Sequence, residues 1–318
     1  MTKRAAKAEL CQPVRQAQKR AKKQTGRLEK ETGLLVTYSS SAHHSDIDVS
    51  RIGAPGSGSS LLEQLFPALD GDQFRSTLFR RGKAVLAKGH ASRCTRLADD
   101  HMHKLSARRL LEESASPAIE VWLKQADGGG LESIQVAEAT EALHLYGAGH
   151  SLYCRASRAL EELLVPRLLQ ELQYGVRGST DRFQRGEIET FFSRHGHVTD
   201  FHTDFQENMT IMLSGAKRWT FAARGPAAPL RGCTPHYRSK EVAETQLKAL
   251  RLSGEEPTPG DERQECVLRA GDVMYHPAGI WHRFETHLPS RLVCHYADNV
   301  SVTPGWSAWR TASRSTSR

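Results

Sequence analysis

The sequence predicts a mainly β protein: a jelly roll preceded by mixed α/β elements and flanked by helices. Two observations carry that expectation. From Gly186 onward, short apolar and aromatic runs alternate with Gly- and Pro-bearing turns, as in antiparallel jelly rolls. Before Gly186, apolar residues recur at helical spacing in several separate stretches.

Residues 1–60 read as a basic tail and linker. Ten of the 44 Lys and Arg lie in residues 1–30, opposed only by Glu9 and Glu29, so the whole net charge of +8 sits there. The remainder is neutral, which excludes a basic nucleic-acid-binding body. Lys19-Arg20-Ala21-Lys22-Lys23 is a cluster of the kind read by import receptors or nucleic acid; a solvated arm is the plainer alternative. Residues 39–41 and 53–60, rich in Ser and Gly, read as linker, with His43 and His44 solvated nearby.

A mixed region over 61–175 is expected to pack on the barrel. Leu61, Leu62, Leu65 and Phe66 suit a helix over 61–69. Residues 84–86 and 119–123 read as strands, the second running to a turn at Gly128-Gly129-Gly130. Helices are expected over 106–113 with Ser106 as cap, over 140–146, and over 157–172 with Pro166 as a candidate kink. Asp100-His101-Met102-His103 reads as a solvated helix or loop face.

The strand-rich region spans 176–302. Strands are expected over 188–193, around His202, over 210–214 and over 217–222. Residues 224–265 are rich in Pro, Gly and charge and read as an insertion with a helix at 239–252. Strands return at 266–268, 272–276 and 291–296, and residues 303–318 form a polar tail.

No apolar run approaches the roughly 20 residues of a membrane span. The start lacks the apolar core of a secretory signal. The six cysteines, at 11, 94, 154, 233, 266 and 294, include no Cys-x-x-Cys pair. They argue against a zinc knuckle and read as reduced intracellular thiols.

The chemistry concentrates in Thr199-Asp200-Phe201-His202-Thr203-Asp204. On an extended strand His202 and Asp204 point to one face. One imidazole and one carboxylate are two-thirds of the 2-His-1-carboxylate set that binds non-heme Fe(II) with open positions. His282, after Gly271-Asp272-Val273-Met274-Tyr275-His276-Pro277, can supply the third ligand from a distant strand. A surface strand with two solvated polar groups is the bland alternative for His-x-Asp. Met209, Ile211 and Leu213, alternating with Thr210, Met212 and Ser214, instead suggest a half-buried strand beside it. Inward-facing titratable groups need a partner, and a metal supplies one.

Residues 185–300 resemble the Jumonji C (cupin-like) family of Fe(II)- and 2-oxoglutarate-dependent oxygenases. The resemblance rests on Thr199, His202, Asp204, Asn208, Gly215, Lys217, Trp219, Gly271, Asp272, Val273, Tyr275, Pro277, Trp281 and His282. The spacings match those of the family's asparagine hydroxylases. Residues 140–172 also loosely resemble the segment before the catalytic strands of cupin-like ribosomal oxygenases.

This resemblance implies a double-stranded β-helix holding Fe(II) on His202, Asp204 and His282. It implies that 2-oxoglutarate chelates the iron at its keto-acid end. The distal carboxylate then meets Lys217 and the Thr199 hydroxyl, with Asn208 orienting the cosubstrate or the ligands. The implied activity is a dioxygenase that hydroxylates a substrate, by analogy a protein side chain. N-methyl-lysine or arginine demethylation is the alternative enzyme reading and calls for an aromatic or acidic pocket. An idle metal-binding cupin module is the non-enzyme reading. The basic tail suggests an RNA, ribosomal or nuclear partner and a nuclear or nucleolar location, with the cytoplasm as alternative.

Two residues depart from the pattern. His276 stands where relatives carry an aliphatic side chain, and His295 falls near an Asn position of the asparagine hydroxylases. Both read as core histidines with satisfied hydrogen bonds. Trp281 is expected to pack under His282.

Overall fold

The computed structural model describes residues 27–31, 34–39, 46–48, 60–67, 69–102, 106–123, 132–173, 187–204, 206–222, 259–287 and 296–302. The insertion helix at 239–252, His295, the Gly128–Gly130 turn, the cluster at Lys19–Lys23 and both chain ends lie outside them.

Two sheets face each other. The small one has four antiparallel strands in the order β11 (Arg263–Arg269), β10 (Ala216–Ala222), β13 (Trp281–Thr286), β8 (Val198–His202). The large one has ten. Its centre runs β3 (Ala84–Ala87), β12 (Val273–His276), β9 (Glu207–Met212), β14 (Tyr296–Val302), β7 (Glu187–Phe192). This is a jelly-roll sandwich, as the strand pattern predicts.

The large sheet continues on both sides. β6 (Ser151–Arg155), β4 (Ile119–Leu123) and β5 (Glu132–Val136) extend it beyond β7. On the other side come β2 (Leu35–Ser39) and β1 (Arg27–Glu31), with β2 parallel to β3. Those two strands correct the expectation that all of 1–60 is tail and linker. Leu35, Val36 and Ile47 are buried, and the Leu34 N–H donates to Gln264 Oε1 on β11 at 2.9 Å. The described body therefore begins near Arg27, with a first strand that carries a single apolar residue, Leu28, among four charges.

Helices cover the outer face of the large sheet. These are α1 (Leu61–Leu65), α2 (Gly71–Gln73, continuing as a π-turn over Phe74–Leu78), α3 (Thr95–His101), α4 (Ala107–Glu112), α5 (Ala139–Gly147) and α6 (Arg158–Glu171). Ser60 and Ser157 cap α1 and α6 through their hydroxyls, and α6 runs through Pro166 without ending. The larger core lies here: Val85, Tyr275, Ile211, Ile188 and Leu152 pack against Leu65, Leu97, Leu164 and Leu168. Met102 is fully buried in it, so only the Asp100–His101 part of that cluster faces outward, and His103 lies outside the described residues.

The smaller core fills the space between the sheets with Leu86, Met212 and Met274 from one and Trp219, Phe221 and Phe284 from the other. β9 and β12 are thus covered on both faces and buried at every position. That corrects the half-buried reading of β9: its alternate residues enter two different cores.

The N-terminal elements are locked to the sandwich at the Gly271-Asp272 turn. The Asp272 carboxylate accepts the N–H groups of Gly89 (2.8 Å) and Arg269 (2.9 Å) and pairs with Lys88. Arg93, fully buried, donates to the carbonyls of Gly271 (3.2 Å), Leu65 (2.6 Å) and Gln64. A Cβ on Gly89 would lie 2.1 Å from the Gly271 carbonyl oxygen, so the two backbones pass at glycine-only distance.

Candidate active site

β8 and β13 pair so that His202 stands opposite His282, and a register shift follows before Phe284 meets Thr199. The two imidazoles lie 4.2 Å apart at their centroids. Asp204 sits two residues past His202, just beyond the strand end. Its own carbonyl accepts the Gly279 N–H at 2.7 Å, which ties it to the turn before His282. The Asp204 Oδ2 comes 3.5 Å from His282 Nε2, and the three candidate ligand atoms lie within 4.8 Å of one another.

Each imidazole is oriented by its own backbone. His202 Nδ1 donates to the Asp200 carbonyl at 2.7 Å and His282 Nδ1 to the Ile280 carbonyl at 3.1 Å. A carbonyl can only accept, so each ring carries a hydrogen on Nδ1 and Nε2 is the atom each can offer as a ligand. Burial, then neighbouring His202, keeps the His282 imidazole well below its usual range and hence neutral. Two imidazole nitrogens and a carboxylate oxygen then converge on one point. That donor set fits a divalent cation, and the mixed N/O chemistry suits Fe(II) among others.

Asn208 adds a further link. Its Nδ2 donates to Asp204 Oδ2 at 2.8 Å, so in this structure it steadies the carboxylate of the triad. His276 lies on the other side of His282, with ring centroids 4.4 Å apart. It is fully buried, as expected of a core histidine, and its Nδ1 has no partner within hydrogen-bond geometry among the described residues. Trp281 is buried too, but the indole packed on His282 is Trp219, at 5.5 Å and 26°. Adjacent strand residues point to opposite faces, so Trp281 cannot lie under its neighbour's ring.

Lys217 stands on β10, four residues before Phe221, which pairs with His282. That places it about 13 Å along the strand from the triad level. It is 1 % exposed, and its Nζ lies 4.5 Å from the Phe284 ring and 5.4 Å from the Phe191 ring. No carboxylate pairs with it among the described residues. Burial lowers its ammonium to about 7. A buried cation that meets ring faces and no carboxylate among the described residues is suited to pairing with an anion.

Thr199 lies across β13 from the Lys217 strand, opposite Phe284, and its Oγ1 is 3.3 Å from His197 Nε2. The His197 ring stacks on Trp122 at 5.2 Å and 9°. Burial first, then the Lys217 charge, push its imidazole down to about 3. Sequence reasoning missed His197 and Trp122. His197 shares the parity of Thr199, a signal that was available; Trp122 comes from β4 and carried no local signal.

A jelly roll with a His-Asp-His cluster between its sheets defines a metal-binding β-sandwich domain. Residues 175–304 match the model of the cupin-like domain family, and the chain carries a cupin-like domain over that span. No curated protein matches the sequence. Among solved structures, that of Escherichia coli ycfD is 16 % identical over 75 % of this chain and 54 % of its own, with a TM-score of 0.47. Another, described as a ribosomal oxygenase from Escherichia coli with cobalt and succinic acid, is 16 % identical over 75 % and 52 %, at a TM-score of 0.43. The chain spans about half the length of those proteins.

Proposed function

We propose that the protein is an Fe(II)- and 2-oxoglutarate-dependent dioxygenase of the Jumonji C type that hydroxylates a protein side chain. The observation that carries the reading is Lys217. A buried ammonium with no carboxylate on it among the described residues, on the same lumen as a His-Asp-His cluster, is what a dicarboxylate cosubstrate requires at its far end. Iron, when bound, supplies the oxygen chemistry, in which 2-oxoglutarate goes to succinate and carbon dioxide and one oxygen atom reaches the substrate.

The chain's own residues perform three tasks in this reading. His202, Asp204 and His282 hold the metal on one face. Asn208 keeps Asp204 turned toward it. Lys217 and Thr199 bind the distal carboxylate between Phe191 and Phe284, where water is excluded and the contact gains strength.

The demethylase alternative calls for an aromatic or acidic pocket. Trp122, Tyr153 and Phe191 do gather with Glu120 and Glu189. Yet Glu120 accepts the Trp122 indole N–H at 2.8 Å and Glu189 the Tyr153 hydroxyl at 2.5 Å, so both carboxylates already have internal donors. This favours hydroxylation. The basic segment within 1–30 supports, as a further part of the proposal, an anionic partner such as RNA or a ribosomal or nuclear assembly, and a nuclear or nucleolar location.

The test is succinate release from 2-oxoglutarate with and without Fe(II), together with mass spectrometry of candidate proteins for a one-oxygen gain. Iron-dependent succinate release lost in Asp204→Ala is expected. Metal binding without 2-oxoglutarate turnover would instead mean an idle cupin module.

A further inference from the structure

We propose that His197 is a positioning residue of the anion end of the pocket: clamped on Trp122, its neutral imidazole holds the Thr199 hydroxyl so that the hydroxyl donates to the carboxylate that Lys217 binds. The inference rests on the dicarboxylate reading above.

Four contacts fix the residue, two on its ring and two on its backbone. Trp122 lies parallel to the ring, and the Trp122 indole is itself held by the Glu120 carboxylate. The backbone is pinned on both sides, with the His197 N–H on the Arg194 carbonyl (3.0 Å) and the Thr286 N–H on the His197 carbonyl (2.9 Å). Nε2 then reaches Thr199 Oγ1 at 3.3 Å. A side chain that only filled space would not need its nitrogen on a hydroxyl.

The direction of that hydrogen bond decides what Thr199 can do. A hydroxyl has one hydrogen. If Nε2 accepts it, none is left for an anion. If Nε2–H donates to Oγ1, the hydroxyl hydrogen is free to point at the carboxylate. A carboxylate accepts only, so its arrival selects the second arrangement, with Nδ1 as the unprotonated nitrogen. Burial and the adjacent Lys217 ammonium both oppose an imidazolium here. The pocket therefore carries one full cation and a neutral donor pair.

The experiment measures the dissociation constant of 2-oxoglutarate by calorimetry on the full-length, Mn(II)-loaded protein. His197→Phe keeps the stack on Trp122 and removes the nitrogen; it is expected to weaken binding about five-fold, the loss of one neutral hydrogen bond. His197→Asn, whose amide can still donate, is expected to stay within about two-fold of wild type. In a Thr199→Val background, His197→Phe should add less than about two-fold, because the partner it acts through is gone. Should the Phe variant not fold, His197→Leu carries the same expectation. Equal losses in Phe and Asn, or a full additive loss beside Thr199→Val, overturn the inference. A His197 series without effect, while Lys217→Ala abolishes binding, also overturns it and leaves the dicarboxylate reading standing. If the wild type does not bind 2-oxoglutarate, or Lys217→Ala binds it equally, both fail together.

Discussion

Asn208 Nδ2 and His282 Nε2 address the same oxygen, Asp204 Oδ2, at 2.8 Å and 3.5 Å. The amide donates to it, while the imidazole offers only a lone pair. The carboxylate is thus anchored from one side and left facing nitrogen on the other, which a metal ion resolves. Asn208→Ala should cost about 10- to 100-fold in metal affinity, the usual loss when a group orienting a ligand is removed. Asp204→Ala should remove metal binding altogether. Titration with Fe(II) or Mn(II) followed by metal analysis checks both. Full occupancy in Asp204→Ala would mean that the metal sits elsewhere.

In the proposed dicarboxylate reading, Lys217 should make 2-oxoglutarate binding weaken as pH rises above about 7. Its ammonium is held near 7 in the empty pocket by burial. Below that pH it is already charged and affinity should be flat. Above it the empty pocket is mostly neutral, so binding takes up a proton and affinity should fall by up to tenfold per pH unit. Calorimetry in buffers of different ionisation enthalpy reads that proton directly. Absence of proton uptake at pH 8 would show that the carboxylate meets another group.

The same burial has a stability consequence. An unfolded lysine titrates near 10.5 and the folded one near 7. Between those values the unfolded chain holds more protons, so the contribution of Lys217 to stability rises with pH across that window and is least favourable below 7. Lys217→Met should therefore stabilise the ligand-free protein at pH 7 or below, by roughly 2–4 kcal/mol, while abolishing 2-oxoglutarate binding. Thermal melts of both proteins at pH 6.5 and pH 9.5 test this; the gap should narrow at the higher pH. A less stable Met variant at pH 6.5 would refute it.

How much of this was legible in the chain follows from how local each feature is. His202 and Lys217 sit in two strands of one small sheet, β8 and β10, with Asp204 just past the first, so period-two spacing placed them on one lumen. The 282 position was reachable because Gly271, Pro277 and Gly279 bracket β12 and the following turn. Asn208 was placed on the right face by parity, but its contact with Asp204 depends on a turn that spacing does not describe. β1 and β2 were not legible, because Arg27-Leu28-Glu29-Lys30-Glu31 reads as charge and its pairing partner lies on the adjoining strand. The wall behind Lys217 joins Trp122 of β4 to His197 before β8, and only the folded sheet brings those together.

Gly89→Ala should be more damaging than its half-buried loop setting suggests. The new Cβ would meet the Gly271 backbone at 2.1 Å, and backbone cannot move aside as a flexible side chain can. The turn carries Asp272 bonds to Gly89 and Arg269 and leads directly into β12. A loss of about 3 kcal/mol or more is expected, in the range of core overpacking and lost buried hydrogen bonds. Urea denaturation measures it, and a change below about 1 kcal/mol would mean that the two loops separate easily.

Truncation at the N-terminus separates the arm from the body. All of the net charge lies in residues 1–30, and β1 starts at Arg27. Removing residues 1–24 takes away most of that charge and leaves every described strand. Removing residues 1–55 also deletes β2 and the segment bearing Ile47. Leu35, Val36 and Ile47 are buried at 6 %, 2 % and 1 % exposure, and each such side chain contributes about 1.5–3 kcal/mol. β2 also pairs with β3, and Leu34 just before it reaches Gln264 of β11, so this segment ties the large sheet to an edge strand of the small one. The short truncation is therefore expected to melt like the full chain and to keep 2-oxoglutarate decarboxylation within a few-fold. It should still lose nuclear or nucleolar retention, or salt-sensitive association with RNA-rich partners, since an arm can steer encounter without shaping the site. The long truncation should be destabilised by roughly 5 kcal/mol and lose turnover with its fold. Paired melts, succinate assays and imaging of tagged chains decide this. Equal stability of the two truncations would return β1 and β2 to the tail. An unchanged location after the short one would leave the arm merely solvated.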